Sequence, residues 1–127
     1  MIEFTVSETT LAVQLQATAA FADSGAEASS LRLYDAADAL LAVIVLTKPC
    51  GTITNGLLRL AQGSASGDQI GATGAAVRAD WLTGGGDLVA SGPVTDEAGE
   101  GPFILGGTAG TQLYAGGRVI LGVTEIA

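Results

Sequence analysis

Apolar and polar residues alternate with two different periods along this chain. Residues Ile2 to Val6 change character at every step, which predicts a short strand. From Ser7 the period lengthens. Leu11, Leu15, Ala19 and Ala22 recur at spacings of four, four and three, the spacing of one helical face. Ser7 or Thr9 can cap the first turn, and Gly25 can stop the last. Alternation of Leu11, Val13, Leu15 and Ala17 also fits a strand. Alanine and glutamine are good helix formers and poor strand formers, so a helix from about Ser7 to Ala22 is predicted.

After Ser30 short apolar pieces follow one another, separated by Gly, Asp and Asn. Leu31 to Asp35 (LRLYD) alternates, and Asp35 and Asp38 bracket a turn. Leu40 to Thr47 reads as a buried strand that Lys48-Pro49-Cys50-Gly51 should end, because proline cannot donate to a ladder. Asn55-Gly56 is a turn pair ahead of a strand at Leu57 to Ala61. Gln62 to Ala75 reads as a loop with Ile70 its only large apolar residue. In the next piece Val77, Ala79 and Trp81 face one way and Arg78, Asp80 and Leu82 the other. Gly84-Gly85-Gly86 then turns the chain so that Asp87 to Val94 returns as the second arm of a hairpin. Asp96 to Gly101 is an acidic turn, Phe103 to Leu105 a short strand, and Gly106 to Thr111 a loop. Leu113 and Tyr114 precede a long strand from Arg118 to Ile126, with a bulge expected near Gly122.

Many short strands with glycine turns predict a mainly β fold, an antiparallel β-sandwich of jelly-roll or Ig-like type with one N-terminal helix. The 127 residues suit a single domain, with the N-terminal strand and helix inside about residues 1–25. Trp81, Val77, Val43, Val119 and Leu121 are the expected core residues. As the only tryptophan, Trp81 is the one side chain large enough to fill the gap between two sheets.

Composition narrows the chemistry. Hydrophobic residues make up 48% of the chain and charged residues 14%, the reverse of a disordered segment. With no histidine and one cysteine, the chain has neither a His-based triad nor the usual zinc ligands, and no disulfide within itself. A net charge of -8 argues against nucleic acid as partner, since phosphate contacts need clustered Lys and Arg. The longest apolar run, Ala39 to Leu46, has eight residues, too few for a membrane helix. No basic residue precedes Arg32, so no secretory signal is expected, and the protein should be made and folded in a cytoplasm or leave by a route without a cleaved signal. A surface this poor in charge suits burial in an assembly.

The order of these pieces resembles a family of small proteins encoded among the virion genes of tailed phages and prophages. The matching pieces are LRLYD at Leu31, TKPCGTITNGLLRL from Thr47 to Leu60, GAAVRADWL from Gly74 to Leu82, and LYAGGRVIL from Leu113 to Leu121. Together they span most of the chain, and each is a turn signature rather than a site. The N-terminal MIEFTV and the acidic DEAGEG insert depart from the pattern. The resemblance implies a virion component, on capsid or tail, made in the host bacterium's cytoplasm. Its partners would be other virion proteins and copies of itself in a homo-oligomer.

Each candidate for chemistry has a plainer reading. Asp96, Glu97 and Glu100 could hold a hard cation, yet their spacing lacks the alternating acids of a calcium loop, so a solvated turn is expected. Asp35 and Asp38 suit turn chemistry better than acid–base work. The glycine-rich GSASG, GGG and GGTAGT lack the Lys-Ser/Thr of a phosphate loop. Cys50 has no histidine to activate it and is expected to be inert. Arg32, Arg59, Arg78 and Arg118 fall on four predicted strands, each expected to pair with a nearby carboxylate. No enzyme, cofactor or metal is therefore expected. The expected function is a multi-copy, non-enzymatic virion structural protein, a capsid decoration or a tail component. The alternative is a sandwich that binds a carbohydrate or protein on a host surface.

Overall fold

The computed structural model describes residues 7–107 and 110–126; the predicted strand at Ile2 to Val6 lies outside them. Helix α1 (Glu8–Ala22) starts where Ser7 Oγ accepts the Thr10 N–H at 3.1 Å, and ends where the Asp23 N–H closes on the Ala19 carbonyl at 2.9 Å. Its inward side is the predicted one. Leu15 and Ala22 are buried, with Leu11 and Ala19 half-buried beside them.

Eleven strands follow: β1 (Ser30–Tyr34), β2 (Leu40–Thr54), β3 (Leu57–Gln62), β4 (Asp68–Gln69), β5 (Gly74–Ala75), β6 (Arg78–Leu82), β7 (Leu88–Asp96), β8 (Phe103–Gly106), β9 (Gln112–Leu113), β10 (Arg118–Leu121) and β11 (Glu125–Ile126). Nine share one sheet in the order β11-β3-β2-β1-β6-β7-β8-β10-β4, and β5 pairs with β9 separately. The β2–β3 hairpin turns at Asn55 and Gly56, whose φ angles of 53° and 76° are those of a turn that follows the strand twist. The predicted β6–β7 hairpin forms as well, closed by the Thr83 N–H on the Asp87 carbonyl at 2.8 Å.

The sheet curls until its last strand meets its third. Ala42 bridges Ile70, and the N–H groups of Gly71 and Ala72 both reach the Leu41 carbonyl, at 2.9 and 3.1 Å. A register break between Leu46 and Gly51 makes this possible: it frees the second edge of Leu40–Val45 from β3 and leaves it to the β4 region. The result is a ring, β2-β1-β6-β7-β8-β10-β4, with β3 and β11 extending from the far half of β2. Leu31, Leu33, Ile44, Ala79, Trp81, Phe103, Leu105 and Val119 are buried in it. Trp81 stands opposite Leu31, and Leu31 opposite Ile44, so the inner face runs unbroken across three strands. Helix α1 packs on the neighbouring strands β2 and β3 and also on β7, which is adjacent to neither.

The fold is thus mainly β and sandwich-like, with one N-terminal helix, and it departs from the predicted details in several places. One curled sheet replaces two separate ones, and β7 and β8 run parallel. Pro49 does not end β2, because residues 47–50 bulge out of the β3 ladder where no proline N–H is needed; the Cys50 N–H turns instead to Asp23 Oδ2 at 3.1 Å. The long strand from Arg118 splits. Gly122 donates to the Ile104 carbonyl at 2.6 Å, and the chain then crosses to β3, where Thr124 accepts the Leu60 N–H at 3.0 Å. Among the predicted core residues Trp81 and Val119 are buried. Val77 is 43% exposed: Ala76 turns inward just ahead of β6, so the alternation slips by one residue and sends Val77 outward. Val43 is half-buried on the outer face opposite Arg32, and Leu121 is half-buried at the seam described next.

Candidate functional site

Where β3 lies near β8 and β10, the surface opens into a groove of about 520 Å³. It is lined by the apolar Leu60, Ile104, Ile120 and Leu121 and by the charged Arg59 and Glu97. Its width depends on glycine. A Cβ on Gly122 would stand 2.9 Å from Ile104 Cγ2, and one on Gly106 would stand 3.3 Å from the Gly122 Cα. Arg59 reaches Glu125 at 3.3 Å, an exposed pair of the kind that contributes at most about 1 kcal/mol. Glu97 Oε1 accepts the Gly107 N–H at 2.9 Å. The groove offers an apolar lining with one guanidinium and one carboxylate.

The acidic turn has a structural use. Asp96 Oδ1 accepts the Ala98 N–H at 3.0 Å, and Oδ2 accepts the Gly110 N–H at 2.6 Å. The Gly110 bond, followed by that from Ala98, holds the Asp96 carboxyl below its ordinary value. Asp96 and Glu97 therefore hold Gly110 and Gly107 by their backbone N–H groups. Among the described residues no group of three His, Cys, Asp or Glu side chains gathers around a common point.

The other singled-out residues stay apart from this groove. Asp35 Oδ1 accepts the N–H groups of Ala37 and Ala39, both at 2.9 Å, which is turn chemistry. Asp38 pairs with Arg78, whose Nε also reaches Asp80 at 3.2 Å and whose guanidinium lies 4.5 Å from the Tyr34 ring centre. The Asp38 hydrogen bond, helped by Asp80, holds that guanidinium above its ordinary value. Arg59 and Arg78 thus have carboxylate partners as expected; Arg118 instead donates to the Gly67 carbonyl at 3.2 Å. Cys50 is buried, and burial, with Asp23 adding to it, pushes its thiol up to about 11.

A polar bracket went unseen in the sequence. Gln62 Nε2 donates to Asp68 Oδ2 at 2.7 Å and to the Val119 carbonyl at 3.0 Å, while Oε1 accepts the Leu121 N–H at 2.9 Å. One amide thereby ties β3, β4 and β10 together and backs the groove. The only signal was a glutamine ending an apolar strand.

Large apolar side chains stand exposed around the molecule: Val13, Phe21, Leu40, Val45, Leu88, Tyr114 and Val123, with Val77 among them. No helix of the described residues is long and apolar enough to cross a membrane. Compared with models of protein families, with curated proteins and with solved structures, the chain matches none.

Proposed function

We propose that this protein is a non-enzymatic structural component of a tailed-phage particle, present in many copies and held by protein–protein contacts. The observation that carries the reading is the set of large apolar side chains left exposed on a chain with only 14% charged residues. Such positions suit contacts that form on assembly. The likeness of LRLYD, GAAVRADWL and LYAGGRVIL to virion-encoded proteins adds the particle. Its partners would then be other virion proteins and further copies of itself.

The test is binding to particles. Virions made from a prophage deleted for this gene are mixed with purified protein, sedimented and imaged with labelled antibody. Saturable binding to the head or to the tail is expected, and the label decides between the two. A protein that stays monomeric and binds neither part of such particles overturns the reading. One feature favours the alternative, a module that binds a host-surface carbohydrate or protein: the Tyr114 ring, 66% exposed, borders a depression shared with Gln112 and Arg118. Binding to a glycan array that is lost in Tyr114→Ala would favour it.

A further inference from the structure

We infer that the outward face of α1 is a two-fold contact between copies of this chain, with Ala17 on the axis. The inference rests on the assembly reading above and names the surface through which copies would meet.

A helix that packs by one face normally turns a polar, charged face to water. Helix α1 does not. Between Thr9 and Ala22 it carries no ionisable residue. Its exposed positions are Thr9, Thr10, Val13, Gln14, Gln16, Ala17, Ala20 and Phe21, with Val13 59% and Phe21 47% accessible. An outward face that carries Val13, Ala17, Ala20 and Phe21 among uncharged threonines and glutamines can be buried against a second layer, and its own sheet supplies only one.

The pattern of sizes points to a second copy as the other layer. Val13, Ala17 and Phe21 lie at intervals of four, in one row along the outward face. In an antiparallel pair centred on Ala17, Phe21 of each helix faces Val13 of its mate and Gln14 faces Ala20. The small residues fall where the two backbones approach most closely, and the large ones interlock on either side. Charge points the same way. A two-fold contact sets a surface patch against a copy of itself, so on a chain of net charge -8 an acidic patch would oppose like carboxylates. This face opposes none. The helix is about 22 Å long at roughly 1.5 Å per residue, which confines the pair to an interface below about 1,000 Å². The contact is accordingly a weak one, reinforced when copies are held side by side on a particle.

The purified full chain tests this by sedimentation from micromolar to millimolar concentration. A reversible monomer–dimer equilibrium is expected. Phe21→Glu and Ala17→Glu should each raise the dimer dissociation constant at least tenfold, while circular dichroism and the unfolding midpoint confirm that each variant is folded. Ala17→Cys should form a disulfide dimer under mild oxidation, and Gln16→Cys, off the axis, should not. Cys50 is buried and leaves that readout clean. A wild-type protein that is monomeric throughout overturns the inference, as does a dimer that tolerates both glutamates. In the second case particle binding still stands or falls by its own test, so the two readings fail separately.

Discussion

Replacing Trp81 by alanine separates the residue that fills the ring from the one that only looks as if it should. Trp81 is fully buried, opposite Leu31 on one side and Ala90 on the other. A buried tryptophan removes about 150–250 Å² from water, and at about 25 cal/mol per Å² that is worth roughly 4 to 6 kcal/mol. Alanine keeps the Cβ and leaves a cavity that the surrounding strands close only in part, so Trp81→Ala should cost about 3 to 5 kcal/mol. Val77, two residues before β6's buried Ala79, is 43% exposed, and Val77→Ala should cost less than about 1 kcal/mol. Urea unfolding followed by far-ultraviolet circular dichroism measures both, since the tryptophan signal is lost in one variant. Net stability of a domain is typically about 5 to 15 kcal/mol, so Trp81→Ala can leave too little folded protein to titrate. Trp81→Phe, a smaller truncation, then gives the same ordering at a lower cost. A loss below about 1.5 kcal/mol for Trp81→Ala, or equal losses at both positions, refutes the assignment of Trp81 to the core.

Three further outcomes follow from the hydrogen bonds and titrations. Gln62→Leu takes this partner from the Val119 carbonyl and the Leu121 N–H and leaves Asp68 only the Val45 N–H, and should lower stability by about 2 to 3 kcal/mol in thermal unfolding; an unchanged midpoint would mean the bracket does not hold the ring closed. Asp96 is held below its ordinary value when folded, so its contribution is present above the unfolded carboxyl value near about 3.9 and is lost as pH falls through the folded one. The stability gap between wild type and Asp96→Asn should therefore be largest near neutral pH and shrink on acidification, and a gap constant with pH contradicts this. Cys50, with its thiol pushed up to about 11 and its side chain buried, should resist a thiol reagent at pH 8 in the native protein and react at once in urea; rapid native labelling would place it at the surface.

Local signals in the sequence were decisive and distant ones were silent. The inward face of α1, the Asn55-Gly56 turn and the Gly84-Gly86 hairpin each depend on residues within a few positions of one another, and all three formed as read. The parallel pairing of β7 with β8 and the closure of Ala42 on Ile70 join segments by register and curl, which no local period encodes. Pro49 misled because the rule against proline in a ladder applies only where an N–H must be donated, and the bulge at 47–50 removes that need. Val77 misled because strict alternation was carried one residue back beyond the start of β6. The groove was invisible for a similar reason: Arg59, Glu97, Ile104 and Leu121 come from four parts of the chain that meet only when the ring closes.

Ring closure also bears on how copies of such a chain can meet. An open sheet associates through its edges, where unpaired N–H and carbonyl groups recruit another strand. Here β4 is drawn back to β2, which leaves β11 as the remaining end of the order. β11 is only two residues long, and its Glu125 pairs with Arg59 of β3. So short and charged an edge is a poor template for strand addition. The faces are the larger surfaces, and six of the thirteen acidic residues gather at three strand connections: Asp35 and Asp38 before β2, Asp87 before β7, and Asp96, Glu97 and Glu100 between β7 and β8. Turns of one sign keep free copies apart and discourage random contact, while α1 keeps an uncharged stripe. Under the proposed function, association by the helix face costs little in electrostatics, and association by the β11 edge has little to grip.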